Sequence, residues 1–326
     1  MAFFSTNSQY HVMIHAGSIF LAFVTQIIAE VFFVLAKEGS VPNGLFQTST
    51  RNVSESFPLE VTMDRWSENC WILIDLWSKG WLVCAAVSLF KRNVLGPESC
   101  NPEIHPPKFY LMWATINITR MSSMFLWSQY FILSAVVFRW ILPAYSFCML
   151  YISYTNLRQH KAWLAINNPS GILVTRYLTQ NGLAVFAWWS LLHTVVDFGV
   201  VLKYYAYLED PLVSTIVLFI IFLCIITWFS LQSFFCTKYM HHTYSVYAIL
   251  VLGLGSMFTS SYRVQNFSVN TAICGVIMIL VTIMSFIHLI QACAGKTRRP
   301  LAVEPSLKLK GCETVCDLEG NIKHKQ

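Results

Sequence analysis

Long apolar runs, separated by short polar segments, dominate the pattern along the chain. A helix needs about 20 mainly apolar residues to cross the hydrocarbon core of a bilayer. Eight runs have that length, at residues 12–36, 69–90, 109–129, 131–155, 180–204, 211–235, 243–261 and 270–294. The pattern therefore predicts an all-α fold, a polytopic membrane helix bundle of about eight transmembrane helices within residues 1–295.

The polar segments between these runs differ in character. Only "WSQY" (127–130) separates the third run from the fourth, which predicts a tight hairpin. Residues 37–68 are rich in Ser and Thr and are long enough to cap one face of the bundle. Residues 156–178 mix basic and apolar positions, which is typical of an interfacial helix. The segment 296–326 is charged and poor in aromatic residues, so we expect a disordered cytoplasmic tail.

Composition supports a protein that faces lipid. The 326 residues are 56% hydrophobic and 12% charged, whereas soluble domains carry about 25% charged residues. The net charge of +6 is therefore not a nucleic-acid footprint, and we expect no nucleic-acid partner. The bilayer is the expected partner, and the sequence leaves an oligomer open.

The positions of the basic residues indicate an orientation. With the N-terminus in the cytoplasm, fourteen of the 22 Lys and Arg residues lie on the inner side and five on the outer side. Cytoplasmic loops carry the excess of Lys and Arg, so we predict that both termini are cytoplasmic. Two N-x-S/T sequons, at Asn52 and Asn266, then fall outside and are candidate glycosylation sites. This predicts a multi-pass protein of the plasma membrane or another secretory-pathway membrane.

Tryptophans recur at regular intervals in the second, third and fifth spans. The stretches are "DRWSENCWILIDLWSKGW", "TRMSSMFLW" and "NGLAVFAWWSLLHTVVDFG". This pattern resembles the translocator protein / tryptophan-rich sensory protein family, through its divergent animal relatives, over about residues 12–205. The aromatic residues that match the family are Trp66, Trp71, Trp77, Trp81, Trp127 and Trp189.

The resemblance implies a five-helix translocator-like unit, followed here by three C-terminal helices. It also implies a pocket for porphyrins or sterol-like molecules, which that family binds. The chain departs from the family pattern at several pocket positions. Met63 and Arg65 replace Pro and Gly, Arg120 and Ser123 replace an Asn and a Trp, and Asp197 replaces an Asn.

Charged side chains within the predicted spans form a candidate polar cluster. An ionisable group at the bilayer centre costs about 2.5–3.5 kcal/mol on insertion scales and is retained when it is paired or faces a cavity. Asp75 and Lys79 are four residues apart, an order that favours an ion pair along one helix face. Arg120 and Asp197 have opposite charges at two family Asn positions, which suggests an ion pair across the bundle. His193 lies one turn before Asp197 and is expected to join them.

Two further charges in the spans, Glu30 and Arg139, receive separate interpretations. Glu30 has no obvious partner in the pattern, and the long stem of Arg139 allows its head to reach the interface. Either the charged cluster fixes helix packing or it lines a ligand or ion pathway. The sequence leaves both alternatives open.

Enzymatic function is not expected. A membrane hydrolase needs His and Asp ligands that converge from separate helices, but His193 and Asp197 share one predicted helix. A G-protein-coupled receptor has seven spans and an outside N-terminus, which eight spans with a cytoplasmic N-terminus disfavour. Cys312 and Cys316 in the tail would need two further zinc ligands that the pattern does not supply. We therefore expect no metal and no cofactor.

The favoured function is binding of a hydrophobic small molecule, porphyrin- or sterol-like, within the bundle. The alternative is a secondary transporter that uses the intramembrane charged residues. Transporters often show repeated halves and helices broken by Gly or Pro. We expect Pro143 to break the fourth span, and Gly253 and Gly255 to loosen the seventh, but no internal repeat is visible.

Overall fold

The computed structural model describes residues 3–37, 46–93, 96–235, 240, 242–263 and 268–297. The all-α bundle predicted from the pattern is confirmed. The helices are α1 (Phe3–Lys37), α2 (Thr50–Ser56), α3 (Asn69–Phe90), α4 (Pro107–Ser128), α5 (Ile132–Asn167), α6 (Pro169–Leu173), α7 (Asn181–Tyr204), α8 (Asp210–Ser230), α9 (Ser245–Arg263) and α10 (Val269–Thr297).

Short irregular elements connect these helices. A 3₁₀ turn precedes α3 (Arg65–Glu68), and π-helical segments follow α6 (Val174–Gln180) and α8 (Leu231–Phe235). Two-residue strands β1 (Arg92–Asn93) and β2 (Gly96–Pro97) pair antiparallel after α3. The chain divides into a unit Met1–His288, which holds the bundle core, and a unit Leu289–Gln326. The tail beyond residue 297, with Cys312 and Cys316, lies outside the described residues.

Six of the described helical stretches are long and apolar enough to span a membrane, and they are compatible with a multi-pass membrane protein. They are Gln9–Lys37, Arg65–Phe90, Ile132–Asn167, Pro169–Tyr204, Asp210–Phe235 and Val269–Ile290. The third and seventh predicted spans also form helices, α4 and α9. The apolar part of α9, Ser245–Ser261, is shorter than the others. In α4 the low hydropathy reflects polar side chains that point into the protein, such as Asn117 and Arg120.

The fifth predicted span is the central helix of the bundle. It forms α7, which packs against α3, α5, α8 and α9, and 17 of its 24 residues are buried. A helix that is apolar over most of its circumference belongs in the interior. Among the other helices, α4 packs between α1 and α5. α10 contacts the neighbouring helices through Cys274, whose Sγ lies 3.5 Å from the Leu254 carbonyl oxygen.

The expectation that Pro143 breaks the fourth span is wrong. Pro143 lies inside α5, which continues without interruption to Asn167, so the chain beyond residue 155 extends this helix before α6 begins. A proline inside a helix leaves the carbonyl four residues earlier without its N–H donor. Here that carbonyl belongs to Arg139, and the hydroxyl of Thr194 on α7 donates a hydrogen bond to it at 3.3 Å. The packing of α7 therefore supplies the partner that the proline removes.

Residues 46–68 lie over one end of the bundle, which we call the first-loop end. The indole of Trp127 donates to the Thr50 carbonyl at 3.2 Å, and the Asp64 amide donates to the Ser256 hydroxyl at 2.7 Å. These contacts tie the loop to α4 and α9. The sequon residue Asn52 is exposed on α2, whereas Asn266 lies outside the described residues.

The contact between α9 and α7 depends on a glycine. α9 is continuous through Gly253 and Gly255, so the expected loosening of this helix is not observed. A Cβ on Gly253 would lie 2.4 Å from Leu192 Cδ1, whereas a Cβ on Gly255 would meet nothing nearer than Met278 Sδ at 3.8 Å. The two positions should therefore respond differently to the same added methyl group.

Replacing Gly253 with Ala is expected to destabilise the protein, and replacing Gly255 with Ala is not. Overpacking a well-filled interface costs about 1–3 kcal/mol, which offsets the gain of about 1 kcal/mol that Ala brings to a helix interior. Gly255→Ala should gain the higher helix propensity of alanine without introducing a steric clash. Thermal unfolding of the two variants in detergent compares them directly. Equal melting temperatures would show that the close approach at Gly253 is unimportant.

Candidate functional site

Charged side chains from five helices lie at one depth in the bundle. Glu30 on α1, Asp75 on α3, Arg120 on α4, Arg139 on α5 and Asp197 on α7 each stand six to eight residues from the first-loop end of their helix. At a rise of 1.5 Å per residue this places all of them about 10 Å inside the bundle. We call this set, together with Lys79, the charged layer.

The most deeply buried ion pair of the layer joins α3 to α4. Arg120 Nη1 donates to Asp75 Oδ1 at 2.7 Å, and Nη2 donates to Oδ2 at 3.0 Å. The two side chains are only 5% and 6% exposed. The guanidinium also lies 4.5 Å from the ring centroid of Trp71. Bidentate geometry with a cation–π contact compensates part of the desolvation cost of the charges.

A buried glutamine links this pair to a second one. Gln26 on α1 donates to Asp75 Oδ1 at 3.1 Å and to Glu30 Oε1 at 3.0 Å, and its own oxygen accepts from the indole of Trp113 at 3.1 Å. Glu30 in turn accepts from Lys79 Nζ at 2.9 Å. The network therefore holds α1, α3 and α4 together through one continuous chain of hydrogen bonds.

The third ion pair joins α5 to α7. Arg139 Nη1 donates to Asp197 Oδ2, and the two side chains are 17% and 11% exposed. The guanidinium of Arg139 lies 4.2 Å from the ring centroid of Trp127. Each arginine of the layer is thus held between a carboxylate and an indole.

These contacts contradict the two ion pairs proposed from the sequence. Asp75 does not pair with Lys79, because Asp75 faces Arg120 while Lys79 reaches Glu30 on the neighbouring helix. Arg120 does not pair with Asp197, since each has a different partner. A helical spacing of four residues places two side chains on similar faces, but the neighbouring helices decide which contacts form.

The sequence reading also missed two partners. Glu30 is paired with Lys79, and Arg139 turns inward to Asp197 instead of reaching the interface. Gln26 was not singled out, although it stands four residues before Glu30 in an otherwise apolar run. Two polar residues four positions apart share one helix face, so their spacing could have indicated that Gln26 and Glu30 belong to the same polar network.

A cavity of about 140 Å³ opens beside the two arginine pairs. Residues of α1, α3, α4, α5 and α7 form its walls, and α2 contributes hydroxyls at its rim. The polar and aromatic residues of its lining are Phe33, Lys37, Glu68, Trp71, Arg120, Ser123, Arg139, Ser190, His193, Thr194, Asp197, and Thr50 and Ser54 at the rim. The sequence-predicted residues Arg120, His193 and Asp197 therefore meet at one cavity, whereas Asp75 lies behind Arg120 and Lys79 lies apart.

His193 lines this cavity, and one of its ring nitrogens is enclosed by the protein. Its Nε2 is enclosed and makes no hydrogen bond with a described residue. The ring lies between Trp71 and Trp189, with centroid distances of 5.5 Å and 5.2 Å. A buried ring nitrogen without a partner is costly, so a shift of the ring that opens Nε2 to the cavity would let a ligand atom or a water stabilise it.

Ion pairs also hold the helix at the rim of the cavity in place. On α2 Arg51 Nε donates to Glu55 at 2.9 Å, and Arg65 Nη2 donates to the same oxygen at 2.9 Å. The hydrogen bond from Arg51 lowers the pKa of Glu55 below its usual value. The α2 helix that carries Thr50 and Ser54 is thereby connected to the turn before α3.

The six family-matching tryptophans divide into two roles. Trp71 lines the cavity and Trp127 packs under Arg139. The others pack or anchor connections. Trp66 donates to Thr259 at 3.1 Å and Trp77 to the Leu178 carbonyl at 2.9 Å. Trp81 and Trp189 are buried among aromatic rings.

A second cavity, of about 200 Å³, lies toward the opposite end of the bundle. Its lining includes Trp81, Lys91, Glu98 and His105, but none of the charged layer. His105 precedes α4 and lies 3.0 Å from the Ser153 hydroxyl, and burial lowers its pKa to about 3. The candidate ligand site is therefore the first-loop cavity, where the unpartnered His193 nitrogen lies beside two arginines.

No protein-family model matches this chain, and comparisons with curated proteins and with solved structures give no significant match. The resemblance to the translocator family therefore stays a prediction from the tryptophan spacing.

Proposed function

We propose that this chain is a non-enzymatic, multi-pass membrane protein that binds a small amphipathic molecule in the first-loop cavity. The observation that carries the proposal is the buried, unpartnered Nε2 of His193, set between aromatic rings and beside two guanidinium groups. Small-molecule sites combine apolar walls with a few polar groups that fix orientation. The cavity has that composition, with Phe33 and Trp71 as its apolar part.

The donors in the cavity favour a ligand with an acceptor group such as a carboxylate. A guanidinium offers five N–H donors. Within the described contacts, the ion pair with Asp75 uses two nitrogens of Arg120, and the ion pair with Asp197 uses one nitrogen of Arg139. The remaining N–H donors of the two arginines suit an anionic or carbonyl oxygen. Nε2 of His193 adds a further donor when the neutral ring carries its proton on that nitrogen. The paired carboxylates keep the site close to neutral, so the ligand's apolar part must contribute to binding.

The cavity volume sets the size of the ligand. A cavity of about 150 Å³ holds a molecule of the size of benzene, and the first-loop cavity measures about 140 Å³. A porphyrin or a sterol, as the resemblance implies, would require the helices to separate. A single-ring aromatic carboxylate fits the space and chemistry without that change.

The proposed topology has eight spans with both termini in the cytoplasm. The excess of basic residues on the inner side supports it, as does the exposure of Asn52 on α2 at the predicted outer end. In this arrangement the cavity opens toward the outside of the cell or the lumen of a secretory compartment.

Binding can be tested with benzoate as the probe, using the full chain in detergent micelles. We expect a saturable rise in melting temperature, because ligand at about 100 times its Kd stabilises by about 2.7 kcal/mol. Ser123→Leu, which projects into the cavity, should abolish the shift. Ser122→Leu, on the neighbouring position outside the cavity lining, should keep it.

Benzyl alcohol, benzylamine, a sterol and a porphyrin complete the probe panel. Preference for benzoate over benzylamine supports recognition of an acceptor group. A shift with the sterol or the porphyrin alone would favour the larger translocator-like pocket. No saturable shift with any probe would remove the support for ligand binding.

A secondary transporter is the second candidate, favoured by the charged layer within predicted spans. Intramembrane ionisable residues mark substrate and ion pathways in many transporters. Uptake of labelled benzoate into proteoliposomes, with and without a proton gradient, separates transport from binding. Gradient-dependent accumulation would promote the transporter, whereas binding without accumulation supports the first proposal.

A further inference from the structure

Three metal-ligand side chains converge at the end of the bundle opposite the first loop, and a carboxylate lies beside two of them. His11 and His15 lie one turn apart on α1, and Cys100 and Glu103 lie between β2 and α4. One ring nitrogen of each histidine and the Cys100 sulfur all lie within 4.8 Å of one another. Glu103 Oε1 lies 3.0 Å from His15 Nε2 and 3.7 Å from His11 Nε2.

The segment that carries Cys100 and Glu103 is held in place by its own hydrogen bonds. The amide of Cys100 donates to the Pro97 carbonyl at 3.1 Å, and the amide of Ser99 donates to the Ser88 carbonyl at 3.2 Å. On the other side of Glu103, the Asn156 side chain donates to the Ile104 carbonyl at 2.9 Å. The two ligand-bearing positions are therefore fixed relative to α3 and α5.

The histidines are presented by the helix in a geometry suited to chelation. A spacing of four residues places both rings on one face of α1, and their centroids are 5.3 Å apart. His15 is fully buried, and the edge of Tyr110 packs against it. His11 is 47% exposed, which leaves a route by which an ion can enter.

We propose that His11, His15, Cys100 and Glu103 bind one zinc ion. Zn²⁺ takes four ligands in a tetrahedron, with bonds of about 2.0–2.3 Å to nitrogen, oxygen and sulfur. Those bonds separate neighbouring ligand atoms by roughly 3.3–3.8 Å, so movements of about 1 Å bring the His11, His15 and Cys100 atoms to that spacing. The Glu103 carboxylate, which lies against the two histidines, must turn further toward Cys100 to become the fourth ligand. The thiolate and the carboxylate balance the charge of the ion.

Four protein ligands make a closed, structural type of site. The ion would tie the beginning of α1 to the segment between α3 and α4. Two ligands come from one helix and two from a segment about 85 residues later, so the ion cross-links distant parts of the chain. This site lies apart from the first-loop cavity, and its test does not depend on the proposed ligand binding.

The test uses the purified full chain in detergent, stripped with a chelator and then titrated with ZnCl₂. We expect one tightly bound zinc per chain by elemental analysis, and a rise in melting temperature with Zn²⁺ but not with Mg²⁺. Cys100→Ser and His11→Ala should each weaken zinc binding about tenfold or more. The matched controls are Cys148→Ser and His160→Ala, on α5 and outside the cluster, which should bind as the unmodified chain does.

Cobalt provides a readout that does not depend on stability. Co²⁺ in the site should give the absorption band of a thiolate-bound cobalt, present in Cys148→Ser and absent in Cys100→Ser. His11 is half exposed, so His11→Ala should fold even if Cys100→Ser does not. The proposal is overturned if the unmodified chain binds no zinc, or if its zinc affinity and cobalt spectrum match those of Cys100→Ser and His11→Ala.

Discussion

Replacing Arg120 with Leu is expected to lower the free energy of unfolding by about 3–5 kcal/mol. The reason is that the substitution leaves the Asp75 carboxylate buried without a cationic partner. Asp75 is 6% exposed and accepts both guanidinium hydrogen bonds of Arg120. At about 2 °C per kcal/mol for a chain of this size, the melting temperature should fall by roughly 6–10 °C. Tryptophan fluorescence during heating in detergent measures the change.

A partly exposed pair in the same layer provides the matched control. Lys79 and Glu30 are 35% and 23% exposed, and Gln26 still donates to Glu30 when Lys79 is removed, so Lys79→Leu should cost less than Arg120→Leu. The double variant Asp75→Leu/Arg120→Leu should recover much of the loss, because no unpaired charge remains. If Arg120→Leu is no worse than Lys79→Leu, or the double variant is no better than the single one, the buried pair does not have the proposed role.

Reversing the charge of Asp197 is expected to prevent accumulation of folded protein, and reversing Arg139 in the same chain to restore it. Asp197→Arg places two guanidinium groups in contact inside the bundle. The loss should reach or exceed the 3–5 kcal/mol of a broken buried pair, which is a large part of a typical stability of 5–15 kcal/mol. Adding Arg139→Asp recreates the pair with opposite polarity. Size-exclusion chromatography of the expressed protein reports the folded fraction.

The partner of Asp197 can be identified with a second double variant. Combining Asp197→Arg with Arg120→Asp should give no rescue, because Arg120 contacts Asp75 instead. This outcome separates the observed pairing from the Arg120–Asp197 pair that the sequence suggested. Equal rescue by Arg139→Asp and Arg120→Asp would contradict the pairing in the structure.

The helices themselves follow from the sequence to a large extent. The predicted second span, 69–90, has the bounds of α3, and the fifth, 180–204, differs from α7 by one residue. Long apolar runs carry this information locally, since each residue contributes to the run whatever its neighbours in space. The chain beyond residue 155 was harder to predict, because basic and apolar residues alternate there in a way that suits both an interfacial helix and the observed extension of α5.

The sequence predicted several residues of the candidate site but not the contacts between them. Arg120, His193 and Asp197 were singled out because an ionisable residue in an apolar run needs a partner or a cavity. Which partner each one takes depends on the rotation of every helix and on the order in which the helices pack. The hydropathy pattern does not contain that order. The pair Asp75–Lys79, inferred from spacing, and the pair Arg120–Asp197, inferred from opposite charges at two family Asn positions, are therefore both absent from the structure.

The proposed zinc site likewise combines residues that are near in the sequence with residues that only the fold brings close. His11 and His15 have a visible chelating spacing, but Cys100 and Glu103 stand far along the chain in a segment without a metal motif. Only the packing of α1 against α4 brings the two halves to one place.

By itself, the sequence determined that this protein is a bundle of long apolar helices with charges inside it. That information resides in runs of residues adjacent along the chain. The tertiary structure decided that the charged layer forms three ion pairs, that α7 lies at the centre, and that His193 lines a cavity with its Nε2 unpaired among the described residues. Those features depend on contacts between residues distant in the chain, and side-chain chemistry alone allows several pairings of comparable strength.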